Sequence, residues 1–163
     1  IAVGEGETSG PLLLRALQEK TSLAEVPGIL YRQDGQIREN ARPPRLEDLD
    51  RIPFPAFHHI DLRAYSGYGV LTSRGCPYPC TFCSVVPVWN YESYSRSPEN
   101  IVEEMALLHR EAGVNLFLFQ DEFFVSGKKQ GLAFCRALER SGLDMEWKAI
   151  SAAPPYPYNC PMA

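Results

Sequence analysis

The chain has 163 residues, of which 45% are hydrophobic and 22% are charged, and its formal net charge is −4. This composition excludes collagen-like and wholly disordered proteins, and the length suits one modest domain or parts of two. The Lys and Arg residues are dispersed and form no basic stripe, so no nucleic-acid binding is predicted. No apolar run approaches the roughly 18 residues of a membrane span.

Residues 1–25 predict the last strand, turn and helix of an α/β layer. Ile1-Ala2-Val3 has the composition of a buried strand, and Gly4-Glu5-Gly6-Glu7 follows it as a turn. Pro11 suits the first position of the next helix, because its missing N–H has no helical partner there in any case. The strand lacks its beginning and its neighbours, so we expect the chain to be a fragment.

A β-hairpin and a linker are expected over residues 26–64. Asp34-Gly35 tolerates the positive φ angles of a type I′ turn and separates two short strand-like segments, 28–32 and 37–39. Prolines interrupt the region that follows, at positions 43, 44, 53 and 55. We therefore expect an ordered linker without long strands or helices.

Residues 65–150 alternate between strands and helices, as a parallel α/β sheet or barrel does. The expected elements are a strand at 69–72, a helix from Pro98 to its stop at Gly113 with Ser97 as N-cap, a strand at 114–119, a helix at 128–141 closed by Gly142, and a strand at 145–150. Such folds place their chemistry in loops at the carboxyl ends of the strands. The prolines of residues 151–163 break this pattern, and we expect that tail to reflect a truncation or a frame shift.

Three of the five cysteines lie within eight residues, at Cys76, Cys80 and Cys83. Such a cluster, in a chain without a secretion signal, indicates metal or redox chemistry in the cytoplasm rather than a disulfide framework. Three thiolates can hold one [4Fe-4S] cube and leave one iron open for a ligand. A structural zinc site and a redox pair are the alternatives, although zinc needs a fourth ligand and no second ligand pair accompanies the loop. Cys135, spaced between Leu132 and Leu138, is expected to be a buried small hydrophobe.

The pattern Cys-x3-Cys-x2-Cys, with an aromatic residue before the third cysteine, resembles the radical S-adenosylmethionine (SAM) superfamily. One branch of this superfamily has a cobalamin-binding domain before the radical core. This chain resembles that branch in four further segments: 4–7, 49–55, 73–77 and 96–100. The resemblance implies an α/β fold with two parts. Residues 1–25 would end a Rossmann-like, B12-binding-type domain, and residues 65–150 would form the N-terminal part of a partial (β/α) TIM-like barrel.

The resemblance also implies a reaction and a metal site. Cys76, Cys80 and Cys83 would hold a [4Fe-4S] cluster, with SAM bound at the open iron. One electron would cleave SAM to methionine and a 5′-deoxyadenosyl radical, which starts the methylation, cyclisation or rearrangement of a small organic substrate. A flavodoxin- or ferredoxin-type protein would donate that electron.

Three further residues take roles from the same resemblance. Phe82 matches the position beside the adenine of SAM, and Asp121 and Glu122 match an acidic segment near its amino group or ribose. A carboxylate there suits a cationic amino group, because charge-assisted hydrogen bonds are strong. Cobalamin is expected only in a longer parent protein, since the Asp-x-His-x-x-Gly element that supplies its histidine ligand does not occur in this chain.

Two other functions share parts of this pattern. A methylthiotransferase-like enzyme would carry the same cysteine motif, but with a cysteine-bearing N-terminal domain in place of Gly4-Glu5-Gly6-Glu7. A non-enzymatic module would bind zinc or another metal and would not cleave SAM.

Overall fold

The computed structural model describes residues 1–124 and 127–149. The chain divides into two units, Ile1–Glu47 and Asp48–Ala163. The tail at 151–163, with Cys160, lies outside the described residues.

The first unit contains one helix and one hairpin. The helix is α1 (Gly6–Glu19), and the hairpin strands are β1 (Leu30–Gln33) and β2 (Gln36–Glu39). The predicted turn is confirmed, because Asp34 and Gly35 have φ angles of 50° and 77° and the strands pair antiparallel on either side of them. A small core of Ala16, Val26 and Ile29 joins the helix to the start of the hairpin.

Two expectations for the first segment are wrong. Ile1 is 87% exposed, and Ala2 forms only an isolated antiparallel bridge to Ile29, so residues 1–3 are not a buried strand. Helix α1 begins at Gly6 with Glu5 as its N-cap, which puts Pro11 inside the helix rather than at its first position. The acidic Glu7 in the first turn suits the positive end of the helix dipole and favours this earlier start.

The second unit is built on a parallel sheet. Its elements are, in chain order, β3 (Tyr68–Val70), β4 (Ser73–Gly75), α2 (Val85–Trp89), β5 (Ser93–Ser95), α3 (Pro98–Ala112), β6 (Leu116–Phe119), α4 (Lys128–Ser141) and β7 (Glu146–Ala149). Strands β3, β6 and β7 pair parallel in that order, and α3 and α4 connect them. The predicted α/β class is therefore confirmed. No helix among the described residues is long and apolar enough to cross a membrane.

The helix boundaries follow their local signals. Ser97 Oγ accepts a hydrogen bond from Asn100 N at 3.1 Å, which caps α3 as predicted. Gly113 and Gly142 end α3 and α4 in the left-handed conformation, with φ angles of 67° and 63°. Strands β3 and β6 are shorter than the predicted 69–72 and 114–119, and β3 ends at Val70 because the next residues leave the parallel ladder.

The core of the second unit lies between the sheet and its two helices. It consists of Val70, Ile101, Val102, Met105, Leu108, Phe117, Phe119, Phe134 and Ala137. The buried face predicted for α3 is confirmed by this set. On α4 the buried residues are Phe134 and Ala137, and Leu138 packs against the core. Cys135 is only half-buried and Leu132 is 38% exposed, so the prediction that Cys135 is a buried small hydrophobe was wrong.

Two phenylalanines provide a matched test of this core. Phe117 is fully buried on the central strand, and Phe82 is 91% exposed. We expect Phe117→Ala to lower the free energy of unfolding by about 3–5 kcal/mol through lost burial and a cavity. Phe82→Ala should change it by less than about 0.5 kcal/mol. Urea denaturation measures both, and similar losses in the two variants would contradict the assigned core.

Candidate functional site

The cysteine loop is held between the two strands of a short antiparallel ribbon. In this ribbon β4 pairs with β5 in the register Ser73↔Ser95 and Gly75↔Ser93. The intervening residues 76–92 contain the three cysteines and helix α2. The sequence did not reveal the ribbon, because strands of three residues carry no measurable periodicity. Pairing of the ribbon fixes both ends of the loop.

Gly75 stands at the point where the ribbon opens into the loop. Its φ angle is 83°, which side chains of L-residues rarely adopt. A Cβ there would overlap the Glu92 carbonyl oxygen and lie 3.1 Å from Trp89 Cβ. Only glycine therefore allows β4 to approach the far end of the loop so closely, directly before Cys76.

The three cysteines are free thiols on this one loop. Cys76 and Cys83 are half-buried, Cys80 is exposed, and Cys83 N donates to the Cys80 carbonyl at 3.1 Å. Within residues 1–124 and 127–149, no three His, Cys, Asp or Glu side chains lie close enough to hold one metal ion. Zinc requires its ligands to converge within about 2.3 Å of one ion. In a [4Fe-4S] cube each thiolate binds its own iron, so three cysteines on one loop match the number of protein ligands that a cube with one open iron takes.

Two aromatic residues of the loop have opposite environments. The Tyr78 ring packs edge-on against Phe123, with 5.3 Å between the ring centroids, and so ties the loop to the segment after β6. The Phe82 ring is 91% exposed beside Cys83. An exposed ring at this place has its face available to a planar ligand. Contact between Phe82 and adenine stays a prediction.

Asp121 lies buried at the carboxyl end of β6 and is 4% exposed. Its Oδ1 accepts hydrogen bonds from Thr72 N at 2.7 Å and from Ser73 N, and its Oδ2 accepts one from Thr72 Oγ1 at 3.0 Å. Ser73 Oγ lies 3.0 Å from Oδ1 and 2.9 Å from the Phe123 carbonyl oxygen. Burial raises the pKa of the Asp121 carboxyl above its usual value, and the hydrogen bonds from Ser73 and Thr72 oppose that rise.

Glu122 follows Asp121 directly but is exposed. The two acidic residues predicted for the same ligand therefore have different surroundings. The Asp121 carboxylate bonds to the segment before the cysteine loop, and the Glu122 carboxylate lies at the surface at the end of the same strand. Contact of either residue with SAM stays a prediction.

A buried ion pair on the other side of this segment is a structural feature that the sequence analysis missed. Arg96 pairs with Glu104, which is 3% exposed, and Arg96 Nη1 also donates to the Leu71 carbonyl at 2.9 Å. Burial raises the pKa of Glu104, and the charge of Arg96 opposes the rise. The available signal was the helical spacing that puts Glu104 on the same face of α3 as Ile101 and Leu108, where an acidic residue needs a partner.

Comparison with curated proteins gives relatives over most of the chain. No protein-family model matches it. It is 32% identical over 153 residues to an uncharacterised methyltransferase of Pyrococcus horikoshii, and 35% identical over 144 residues to the anaerobic magnesium-protoporphyrin IX monomethyl ester cyclase of Synechocystis. These matches cover 91% and 85% of this chain but 33% and 28% of the relatives. The chain thus spans about a third of their length.

Solved structures show the same fold. A cobalamin-dependent SAM radical enzyme, OxsB, solved with aqua-cobalamin and SAM bound, matches with a TM-score of 0.72 at 20% identity over 88% of this chain and 21% of that one. The radical SAM methyltransferase TsrM of Kitasatospora setae, with cobalamin and a [4Fe-4S] cluster bound, matches with a TM-score of 0.57 at 18% identity over 86% of this chain and 29% of that one. At these identities the likeness concerns the fold.

The role of Gly75 can be tested against a second glycine. Gly113 also has a positive φ angle, 67°, but a Cβ there would meet nothing within 4 Å. We expect Gly113→Ala to cost about 1–2 kcal/mol of unfolding free energy from the backbone conformation alone. Gly75→Ala adds the overlap with Glu92 and should cost about 3 kcal/mol or more. Equal costs in urea denaturation would show that the ribbon does not need a close approach at Gly75.

Proposed function

We propose that this chain, which is similar to cobalamin-dependent radical SAM enzymes, carries the cluster-binding part of an enzyme that cleaves SAM reductively to modify a small organic substrate. The observation that carries the proposal is the cysteine loop itself. Three free thiols lie on one loop, which follows the parallel strand β3 through the short ribbon strand β4, and Tyr78 of this loop contacts Phe123 beyond the carboxyl end of β6. That edge of the sheet is where α/β folds place their chemistry. Cys76, Cys80 and Cys83 would hold the cluster.

The donor set supports a cluster over the alternative of a zinc module. Zinc would need a fourth ligand, and no second pair of ligands accompanies the cysteine loop in the sequence. A [4Fe-4S] cube with three cysteine ligands and one open iron needs no fourth protein ligand. When bound, a [4Fe-4S] cluster supplies a single electron and one iron without a protein ligand.

The chain's own residues bind and orient SAM. Phe82 offers an exposed ring beside Cys83, against which a planar adenine stacks. Glu122 offers an exposed carboxylate at the end of β6, which accepts a charge-assisted hydrogen bond from a cationic amino group or a bond from a ribose hydroxyl. The Phe82 ring can stack on a ligand, and the Glu122 carboxylate can accept a hydrogen bond from it, without any rearrangement of the core.

Methylation or cyclisation is the reaction class that the relatives support. Those named above are a methyltransferase and a ring-forming cyclase, and a third, the hopanoid C-3 methylase of Methylococcus capsulatus, is 28% identical over 151 residues. OxsB and TsrM were solved with cobalamin bound. Cobalamin is therefore proposed for a longer protein of which this chain is a part. A flavodoxin- or ferredoxin-type donor and a cytoplasmic location remain predictions.

Iron uptake by cysteine variants tests the metal site. The chain and its Cys76→Ala, Cys80→Ala and Cys83→Ala variants are incubated anaerobically with iron and sulfide, and bound iron is measured after gel filtration. Cys135→Ala is the matched control, because Cys135 lies on α4 outside the loop. We expect about four irons per chain in the unsubstituted parent chain and in the control. Each loop variant should lose much of this iron, because each thiolate ligates its own iron.

The reaction with SAM is tested on the same preparations. After reduction with dithionite, we expect release of 5′-deoxyadenosine from SAM in the parent and in Cys135→Ala, and none in Cys80→Ala. One tightly bound zinc per chain with no iron uptake would contradict the cluster. A complete cluster that neither binds nor cleaves SAM would contradict the proposed reaction while leaving the metal site intact.

A further inference from the structure

The chain changes its pairing partner directly before the cysteine loop. Strand β3 belongs to the parallel ladder with β6, whereas β4 belongs to the antiparallel ribbon with β5. The parallel ladder ends at the hydrogen bond from Gln120 N to the Val70 carbonyl, at 3.2 Å. Leu71 is 52% exposed, but the next two residues, Thr72 and Ser73, are buried, and unpaired buried backbone groups are costly. Their N–H and C=O groups therefore need partners other than a neighbouring strand.

Two residues from distant parts of the chain supply these partners. Asp121 accepts from the backbone N–H groups of Thr72 and Ser73. On the other side, Arg96 donates from its backbone N to the Thr72 carbonyl and from Nη1 to the Leu71 carbonyl, both at 2.9 Å. Thr72 and Ser73 are each 1% exposed, so water has little access to this segment.

We infer that Asp121 is a positioning residue, which fixes the start of the cysteine loop through Thr72 and Ser73 and does not itself contact the bound cofactor. Glu122 is then the acidic side chain that remains available to a ligand. The role rests on the proposed function, because it concerns how the cluster-binding loop is held. It assigns different tasks to two neighbouring carboxylates.

The burial and the hydrogen bonds of Asp121 together favour this division of tasks. Oδ1 is engaged by two backbone N–H groups, and Oδ2 by the Thr72 hydroxyl. Asp121 is 4% exposed, so an ammonium group could reach this carboxylate only by opening its contacts with Thr72 and Ser73, which would leave buried N–H groups unpaired. Glu122 is exposed, so a cation can reach its carboxylate without opening such contacts.

Two variants of Asp121 separate positioning from ligand contact. In Asp121→Asn the amide oxygen still accepts from the two backbone N–H groups, and the amide nitrogen can donate to Thr72 Oγ1. Asp121→Ala removes every acceptor. A positioning role therefore tolerates Asn and not Ala, whereas binding of a cationic amino group depends on the charge and is lost in both.

The first measurement is hydrogen exchange of the full chain without metal, followed by mass spectrometry of the peptides. In Asp121→Ala we expect residues 71–83 to exchange about tenfold faster or more, since a lost acceptor for a buried N–H corresponds to at least that factor. Protection of β6 and α3 should be unchanged. Asp121→Asn and the control Asp144→Ala, at an exposed position before β7, should match the parent chain.

The second measurement is iron uptake and SAM binding by the same variants. We expect Asp121→Ala to retain less than half of the parent's iron, and Asp121→Asn to retain its iron and its SAM-dependent change in the electron paramagnetic resonance spectrum. The inference is overturned by parent-like exchange of residues 71–83 in Asp121→Ala. Equal loss of the SAM response in both variants, with full iron, also overturns it. Faster loop exchange in Asp121→Ala together with no iron uptake by the parent supports the positioning role and rejects only the proposed function.

A double variant keeps the test decisive if Asp121→Ala loses protection throughout the sheet. Thr72→Val with Ser73→Ala removes only the two hydroxyl donors and leaves the carboxylate bound to the backbone. We expect about threefold faster exchange in residues 71–83, with β6 unaffected. No change in this variant, after global unfolding of Asp121→Ala, would assign Asp121 to general stability and overturn the specific role.

Discussion

A backbone that leaves one β-ladder inside a protein must find new hydrogen-bond partners before it enters the next. Here that requirement falls on Thr72, which lies between the parallel sheet and the ribbon that carries the cysteine loop, and on Ser73, the first residue of the ribbon strand β4. Arg96 satisfies the carbonyl side and Asp121 the amide side. The position of the loop therefore depends on two polar side chains that are far from it in sequence.

The apolar core determines where those two side chains stand. Phe117 and Phe119 are completely buried on the central strand, so the residues that follow them reach the carboxyl edge of the sheet at a fixed place. Helix α3 packs against the same sheet through Met105 and Leu108, and its face also carries Glu104, which holds Arg96. Packing of the core thus fixes both partners of the segment before the cysteines.

Local signals were sufficient for the elements that depend on short-range chemistry. The Asp34-Gly35 turn and the Ser97 cap could be predicted because the residues that determine each conformation are adjacent. The β4–β5 ribbon could not, since its strands have three residues each and its stability comes from pairing across the loop. The Arg96–Glu104 pair was missed for a related reason: the sequence gives the charges but not their burial.

The sequence does contain a signal for the division of tasks between Asp121 and Glu122, although this signal includes residues beyond the end of β6. Successive side chains of an extended chain point to opposite sides, so residues two apart share a face. Phe117, Phe119, Asp121 and Phe123 are all buried, whereas Glu122 is exposed. An acidic residue in register with two core phenylalanines has to find its hydrogen bonds inside the protein. Its neighbour, one residue out of register, is free of that constraint and can meet a ligand at the surface.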